Sequence, residues 1–238
     1  MKIIPLHVGD IFRDKSSFTC SRNQGVKLTL PVLCWLIDTG TMKIIVDTGT
    51  NAPDETAEHH KPLSRSREQE LPAQLHSLGV DPGEIKLVIL THLHWDHCYN
   101  NHLFPKAEFM VQRTELRYAV APLPLHSHAY DWTPVVGTRY TVLDGDKDLG
   151  NGISVITTPG HTPGFQSVLV EGPQKRMLIA SDTIPLFENW QQNPPLPSGV
   201  YNNLEEYYST FDKIRRLNTD MVLPGHDAGV FKQREYVL

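Results

Sequence analysis

The segment Thr91-His92-Leu93-His94-Trp95-Asp96-His97 directly follows an apolar run, Lys86–Leu90. A buried strand that delivers polar side chains at its end is a common way to build an active site. Side chains along an extended segment alternate between two faces, so His92 and His94 point the same way and two imidazoles can share one ion. If the chain turns into a helix near Asp96, that carboxylate and His97 become neighbours on a different face, where they could bind a second ion. The chain has 12 histidines among its 238 residues. Histidine is the commonest metal ligand, so the positions of the others matter.

Further ligands are expected at the ends of other strands, because zinc takes four or five in all. His161 lies in Thr158-Pro159-Gly160-His161-Thr162-Pro163-Gly164 after the strand Ile153–Ile156. Asp182 follows Met177–Ala180, and His226 follows Met221–Leu223 in Pro224-Gly225-His226-Asp227. Glycine or proline punctuates each of these turns and fixes the ligand's direction.

The remaining strands are expected at Lys2–Val8, Leu28–Ile37, Lys43–Val46, Glu108–Val111, Arg139–Leu143 and Ser167–Val170, which are apolar and rich in β-branched residues. Helical spacing appears at Glu68–Leu78, Arg113–Ala121 and Leu204–Leu217. Strands outnumber helices, and the two alternate only loosely. The fold class is therefore a sheet-rich α/β (α+β) layered domain rather than a regular βαβ repeat. No linker divides the chain, so residues 1–238 are expected to form a single domain.

Three irregular stretches interrupt this pattern, at Asn51–Arg67, Pro122–Gly137 and Thr183–Asn203. Loops this long inside a compact domain are often functional. Their aromatic residues, with Tyr130, Trp132, Phe187 and Trp190 foremost, are candidates for an apolar acyl-binding channel or for a homodimer interface. His59-His60 and His126-x-His128 lie in the same loops and are given surface, packing or substrate-contact roles. His7, His76 and His102 are isolated and are given surface or packing roles.

The formal net charge of −5 argues against a general nucleic-acid binder, which needs a basic face. No apolar run approaches the ~20 residues of a membrane span. The first residues, MKIIPLHVGD, lack the pattern of an export signal. Three cysteines cannot form a disulfide framework. A soluble cytoplasmic protein, without nucleic-acid or membrane partners, is the expectation.

The ordered set His92-x-His94-x-Asp96-His97, His161, Asp182 and His226 resembles the metallo-β-lactamase superfamily of hydrolases. That resemblance implies a four-layer αββα sandwich with two divalent metal ions at one edge. His92, His94 and His161 would bind the first ion, Asp96, His97 and His226 the second, and Asp182 would bridge them. Asp47, in Val46-Asp47-Thr48-Gly49, matches a position that supports the ligands from behind. Zinc suits such ligands, as do manganese, cobalt and iron.

Within the superfamily the chain looks most like the N-acyl homoserine lactonases. The similarity includes Leu30–Ile37, Val46–Gly49, Val111–Glu115, Pro163–Ser167 and Gly225–Asp227. It implies opening of a lactone ring by a hydroxide held between the metals, which attacks the carbonyl. Asp96 or Asp182 would shuttle the proton as the catalytic acid–base group. Another lactone, carboxylic ester or thioester is the alternative substrate. One departure bears on this choice. Lactonases of this kind commonly carry a substrate-contacting tyrosine three residues after the bridging aspartate, where this chain has Pro185. Tyr130, Tyr201 and Tyr207 are candidate replacements.

Overall fold

A computed structural model describes all residues from Met1 to Leu238. Its strands, in chain order, are β1 (Lys2–Asp14), β2 (Lys27–Asp38), β3 (Lys43–Val46), β4 (Leu63–Ser64), β5 (Leu87–Ile89), β6 (Glu108–Gln112) and β7 (Tyr140–Leu143), followed by β8 (Lys147–Gly150), β9 (Ile153–Thr157), β10 (Gln166–Glu171), β11 (Arg176–Ser181), β12 (Met221–Pro224) and β13 (Tyr236–Val237). The first sheet runs β13-β1-β2-β3-β5-β6-β7, with β4 paired to β1. The second runs β12-β11-β10-β9-β8.

The apolar runs explain how the sheets stack. Side chains alternate along each strand, and both faces of the central strands are covered, so the sequence reads as continuous hydrophobic residues. Leu33, Trp35 and Ile37 of β2 meet Val168 and Val170 of β10 and Met177 and Ile179 of β11 in the core between the sheets. The intervening Val32, Cys34 and Leu36 turn to the opposite face. There they pack with Leu71 and Leu75 of α1 (Leu71–Ser77), Ala119 of α3 (Arg113–Val120) and Val135 of α4 (Trp132–Gly137). On the outer face of the second sheet, Leu169, Leu178 and Ala180 pack under Tyr207, Phe211 and Ile214 of α6 (Leu204–Arg216). The result is a mixed α/β sandwich of helix, sheet, sheet and helix layers.

Two short helices complete the set, α2 (Trp95–Cys98) and α5 (Phe187–Gln191). The helix expected over Glu68–Leu78 is broken. Arg67–Gln69 forms a 3₁₀ turn, Glu70 is extended, and α1 starts only at Leu71. Pro72 is the reason. It lacks the N–H that Glu68 O would accept, and its ring would crowd that carbonyl. The strand expected at Lys2–Val8 continues to Asp14, and its pairing with β2 shifts register between His7 and Asp10, around Gly9.

Candidate metal centre

The chemistry-bearing residues gather where five strands end. Asp47 follows β3, the segment His92–His97 follows β5, His161 follows β9, Asp182 follows β11 and His226 follows β12. Asp47 and Ser181 have φ of +60° and +47°. Non-glycine residues rarely adopt this conformation, and it persists where surrounding contacts over-determine it. Gly225 is required for a different reason. A Cβ there would collide with Asp182 Oδ1.

All seven residues expected as ligands are brought into one buried cluster. His92, His94 and His161 form one set whose nitrogens lie within 4.8 Å of one another. Asp96, His97 and His226 form a second, and His92, His97 and Asp182 a third. Asp182 stands between the sets. Its oxygens lie 3.6 Å from His161 Nε2, 3.4 Å from His97 Nε2 and 3.2 Å from His226 Nε2.

The far side of each ring is fixed. His92 Nδ1–H faces Thr91 Oγ1 at 3.1 Å, because that hydroxyl already donates to Asp47. His97 Nδ1 donates to Asp47 Oδ2, His161 Nδ1 to Val200 O and His226 Nδ1 to Pro31 O, each at 2.8 Å. These partners select the tautomer that leaves Nε2 with a lone pair toward the cluster. His94 differs in presenting Nδ1, 3.2 Å from His161 Nε2. His92 Nε2, His97 Nε2 and Asp182 Oδ1 are buried with no hydrogen-bond partner. Buried polar atoms are nearly always paired, so three orphans converging on one point call for a ligand. The donor set, nitrogens and carboxylate oxygens, fits divalent metal ions such as zinc.

Asp47 anchors the group from behind, accepting from Thr91 N at 2.7 Å and Thr91 Oγ1 at 2.8 Å in addition to His97. Burial and then the neighbouring imidazoles hold the His92 pKa well below its ordinary value. For His97 burial pulls the same way, but Asp182, Asp96 and Asp47 overcome it and raise the pKa. Burial would raise the Asp182 carboxyl. His226 and His97 outweigh it and hold that group well below the carboxylate range.

A cavity of about 180 Å³ opens over the cluster and is lined by His94, Asp96, His161, Asp182 and His226. A larger cavity of about 650 Å³, bordered by Tyr99, Phe104 and Arg139, touches none of the seven residues.

Several residues fall elsewhere than the sequence suggests. Phe187 packs against the core between the sheets, and Trp190 lies against Phe211 at 6.2 Å between ring centroids. Trp132 is 61% exposed. None of the three lines the cavity, so the aromatic channel expected from them does not form. Trp132 sits on α4 and faces outward, whereas Phe187 and Trp190 sit on α5 and pack against the core between the sheets and against α6. Tyr130 does come close, with its ring 4.8 Å from that of His94, but its hydroxyl faces Glu115 Oε1 at 3.4 Å. Tyr207 is fully buried and donates to Asp182 O and Thr183 O, away from the cavity. Tyr201 lies outside the cavity lining, 37% exposed. Conversely, Arg13, His59, His60 and His128 line the cavity. The sequence gives no periodic signal for them, because they arrive on the end of β1 and on two irregular loops.

The sequence model of the metallo-beta-lactamase superfamily matches residues 29–226. The chain belongs to this superfamily. Within the superfamily it falls in the N-acyl homoserine lactonase-like branch. The N-acyl homoserine lactonase of Bacillus thuringiensis is 29% identical over 208 residues, which cover 82% of this chain and 80% of the relative. One from a Bacillus species is 31% identical over 205 residues, 79% of each chain. Solved superfamily structures agree. An N-acyl homoserine lactone hydrolase with the product N-hexanoyl-L-homoserine at its catalytic metal centre superposes with a TM-score of 0.82 at 26% identity, covering 97% of this chain and 95% of that one. A B. thuringiensis lactonase variant with N-decanoyl-L-homoserine at its active site gives the same values.

Proposed function

We propose that this chain is a dinuclear metal-dependent hydrolase that opens the ring of N-acyl homoserine lactones, an activity that quenches quorum signals. The observation that carries the reading is the trio of unpartnered buried atoms, His92 Nε2, His97 Nε2 and Asp182 Oδ1, at the centre of seven converging ligands. Its relatives' activity supports the choice of lactone. All 238 residues form one domain around this site.

His92, His94 and His161 would hold one ion, Asp96, His97 and His226 the other, and Asp182 both. Two such ions, with zinc the best match to the donors, supply Lewis acidity and a nucleophilic water at neutral pH. The chain supplies position and proton handling. Asp47, Thr91, Val200 and Pro31 hold the imidazoles in the required tautomer. Asp96, with its oxygens 3.8 Å from His97 Nε2 and from His226 Nε2, borders the cavity. It would take the proton of the attacking water on a carboxylate oxygen and pass it to the departing alcohol. Asp182 is the second candidate for that transfer.

A second reading, hydrolysis of another lactone, an ester or a thioester, is favoured by Pro185, which stands where lactonase-like sequences carry tyrosine. Three free cysteines, two of them buried, support a reducing cytoplasmic setting. No helix is long and apolar enough to cross a membrane. The exposed Leu125 and Trp132 support a homodimer contact on their loop, which sedimentation at two concentrations tests.

The deciding experiment is elemental analysis of the purified protein together with a panel of lactones, esters, thioesters and β-lactams. Two metals per chain and preferential ring opening of acyl homoserine lactones are expected, and both should be lost in His94→Ala and Asp182→Ala. Full activity with unchanged metal content in those variants would overturn the assignment.

A further inference from the structure

The wall of the cavity beside the candidate ligands is mixed: Arg13, His59, His60 and His128 stand among the apolar Ile11, Phe18, Trp95, Ala129 and Val200. Arg13 at the end of β1 is half-buried, and its guanidinium donates to Phe12 O, Pro62 O and His60 O. Those bonds fix its position while its charge stays beside the site, near enough to feel the Asp96 carboxylate. His60 is buried, only 4% exposed, and its ring stacks on Trp95 with centroids 4.1 Å apart and planes 15° apart. Its Nε2 has no hydrogen-bond partner. His59 packs against it with centroids 4.1 Å apart, and His59 Nε2 donates to His128 O at 3.2 Å. His59 and His128 are exposed at the mouth.

Three features of this wall bear on substrate. It carries one permanent positive charge and three imidazoles, and its acids are the ligand carboxylates Asp96 and Asp182. His60, one of its lining residues, carries a buried nitrogen with no hydrogen-bond partner, and leaving such a group unpaired costs about 1–3 kcal/mol. The cavity, at about 180 Å³, is also small. Pockets for drug-sized ligands usually span ~300–1,000 Å³.

We propose that Arg13, His59, His60 and His128 form a specificity wall that selects lactones with a short acyl arm ending in an oxygen acceptor. The acceptor is a carboxylate or a ketone carbonyl, set within a few bonds of the scissile ring. Arg13 offers a charge-assisted hydrogen bond, and the imidazoles offer neutral ones. A long alkyl arm would bury these groups against methylenes, leaving them desolvated and unpaired. The proposal rests on the lactonase reading.

The test compares four homoserine lactones on the metal-loaded enzyme: N-succinyl, N-(3-oxobutanoyl), N-butanoyl and N-decanoyl. Calorimetry of the four ring-opened acids gives an affinity readout separate from turnover. The expected result is a kcat/KM for at least one acceptor-bearing substrate at least tenfold above butanoyl, with decanoyl lowest and the same order in affinity. A succinyl preference identifies a carboxylate partner, and a 3-oxobutanoyl preference a carbonyl partner. Arg13→Met should reduce the preference for the acceptor to under threefold. His128→Ala, at an exposed position, should reduce it in part while the protein remains folded. Equal rates for butanoyl and both acceptor-bearing substrates, or a decanoyl preference, would overturn the proposal with the lactonase reading intact. Turnover of esters but of no lactone would instead remove the reading on which it rests.

Discussion

His97 Nδ1 donates to Asp47 Oδ2 at 2.8 Å, and both side chains are 1% exposed. Asp47 thus binds the back of an expected ligand while holding Thr91, the residue that begins the ligand loop, through its N–H and hydroxyl. Removing one partner of a buried ion pair leaves the other uncompensated, at a cost of about 3–5 kcal/mol. Asp47→Ala should lower the melting temperature of the metal-free protein by roughly 6–20 °C, taking ~2–4 °C per kcal/mol at this chain length. Metal affinity, measured by chelator competition, should fall about 10–100-fold. Wild-type values for both would refute the anchoring role.

Glu115 makes a comparable link on the other side of the site. Fully buried on α3, it accepts from Leu93 N at 3.0 Å, Thr162 Oγ1 at 2.6 Å and Gly164 N at 3.2 Å. It therefore joins the loop carrying His92 and His94 to the loop carrying His161. Glu115→Ala orphans two backbone N–H groups, each worth about 1–3 kcal/mol. A stability loss of about 2–5 kcal/mol in denaturant unfolding is expected, together with a lower kcat. Glu115→Gln keeps an acceptor and should recover about half of the stability.

The candidate ligands were legible in the sequence because they stand in short turns that follow apolar strands: Asp182 and His226 just after β11 and β12, His161 in the turn after β9, and His92 to His97 in the segment after β5. The two-faced burial of β2, β10 and β11 was legible for a related reason, since continuous apolar runs such as Val168–Val170 leave no solvent side. Glu115 carries no such signal. Its acidic side chain on an amphipathic helix reads as surface, and only the approach of the His161 loop makes it buried. Phe187 and Trp190 are not placed by the sequence, because aromatic residues in a loop look alike whether they line a pocket or plug a core. For His60 the sequence leaves surface, packing and substrate-contact roles open, because its stacking on Trp95 joins residues 35 apart without secondary structure to set the register.

Gly160, immediately before His161, has φ of +136° and sits against α6. A Cβ there would come within 2.6 Å of Tyr207 Cα. Gly160→Ala combines backbone strain of about 1–3 kcal/mol with overpacking of about 1–3 kcal/mol. Because Tyr207 also holds Asp182 O, any shift of α6 reaches the centre of the site. The variant should melt at least 5 °C below wild type and bind less metal. An unchanged melting curve would show that α6 is free to move aside.

Burial lowers the His60 pKa from 6.5 to about 3, with His59, Arg13 and His128 adding to the effect. The folded protein then takes up no proton on this ring until pH falls to about 3, whereas the unfolded chain binds one near 6.5. Between these values the unfolded state holds more protons, so stability rises with pH and acid favours unfolding. His60→Phe keeps an aromatic ring against Trp95 and removes the titration. Melting temperatures of wild type and variant, compared from pH 7.5 to pH 5, should diverge in a defined direction, with the variant losing less stability on acidification. Parallel losses in the two proteins would mean that His60 is protonated as readily in the folded chain as in water.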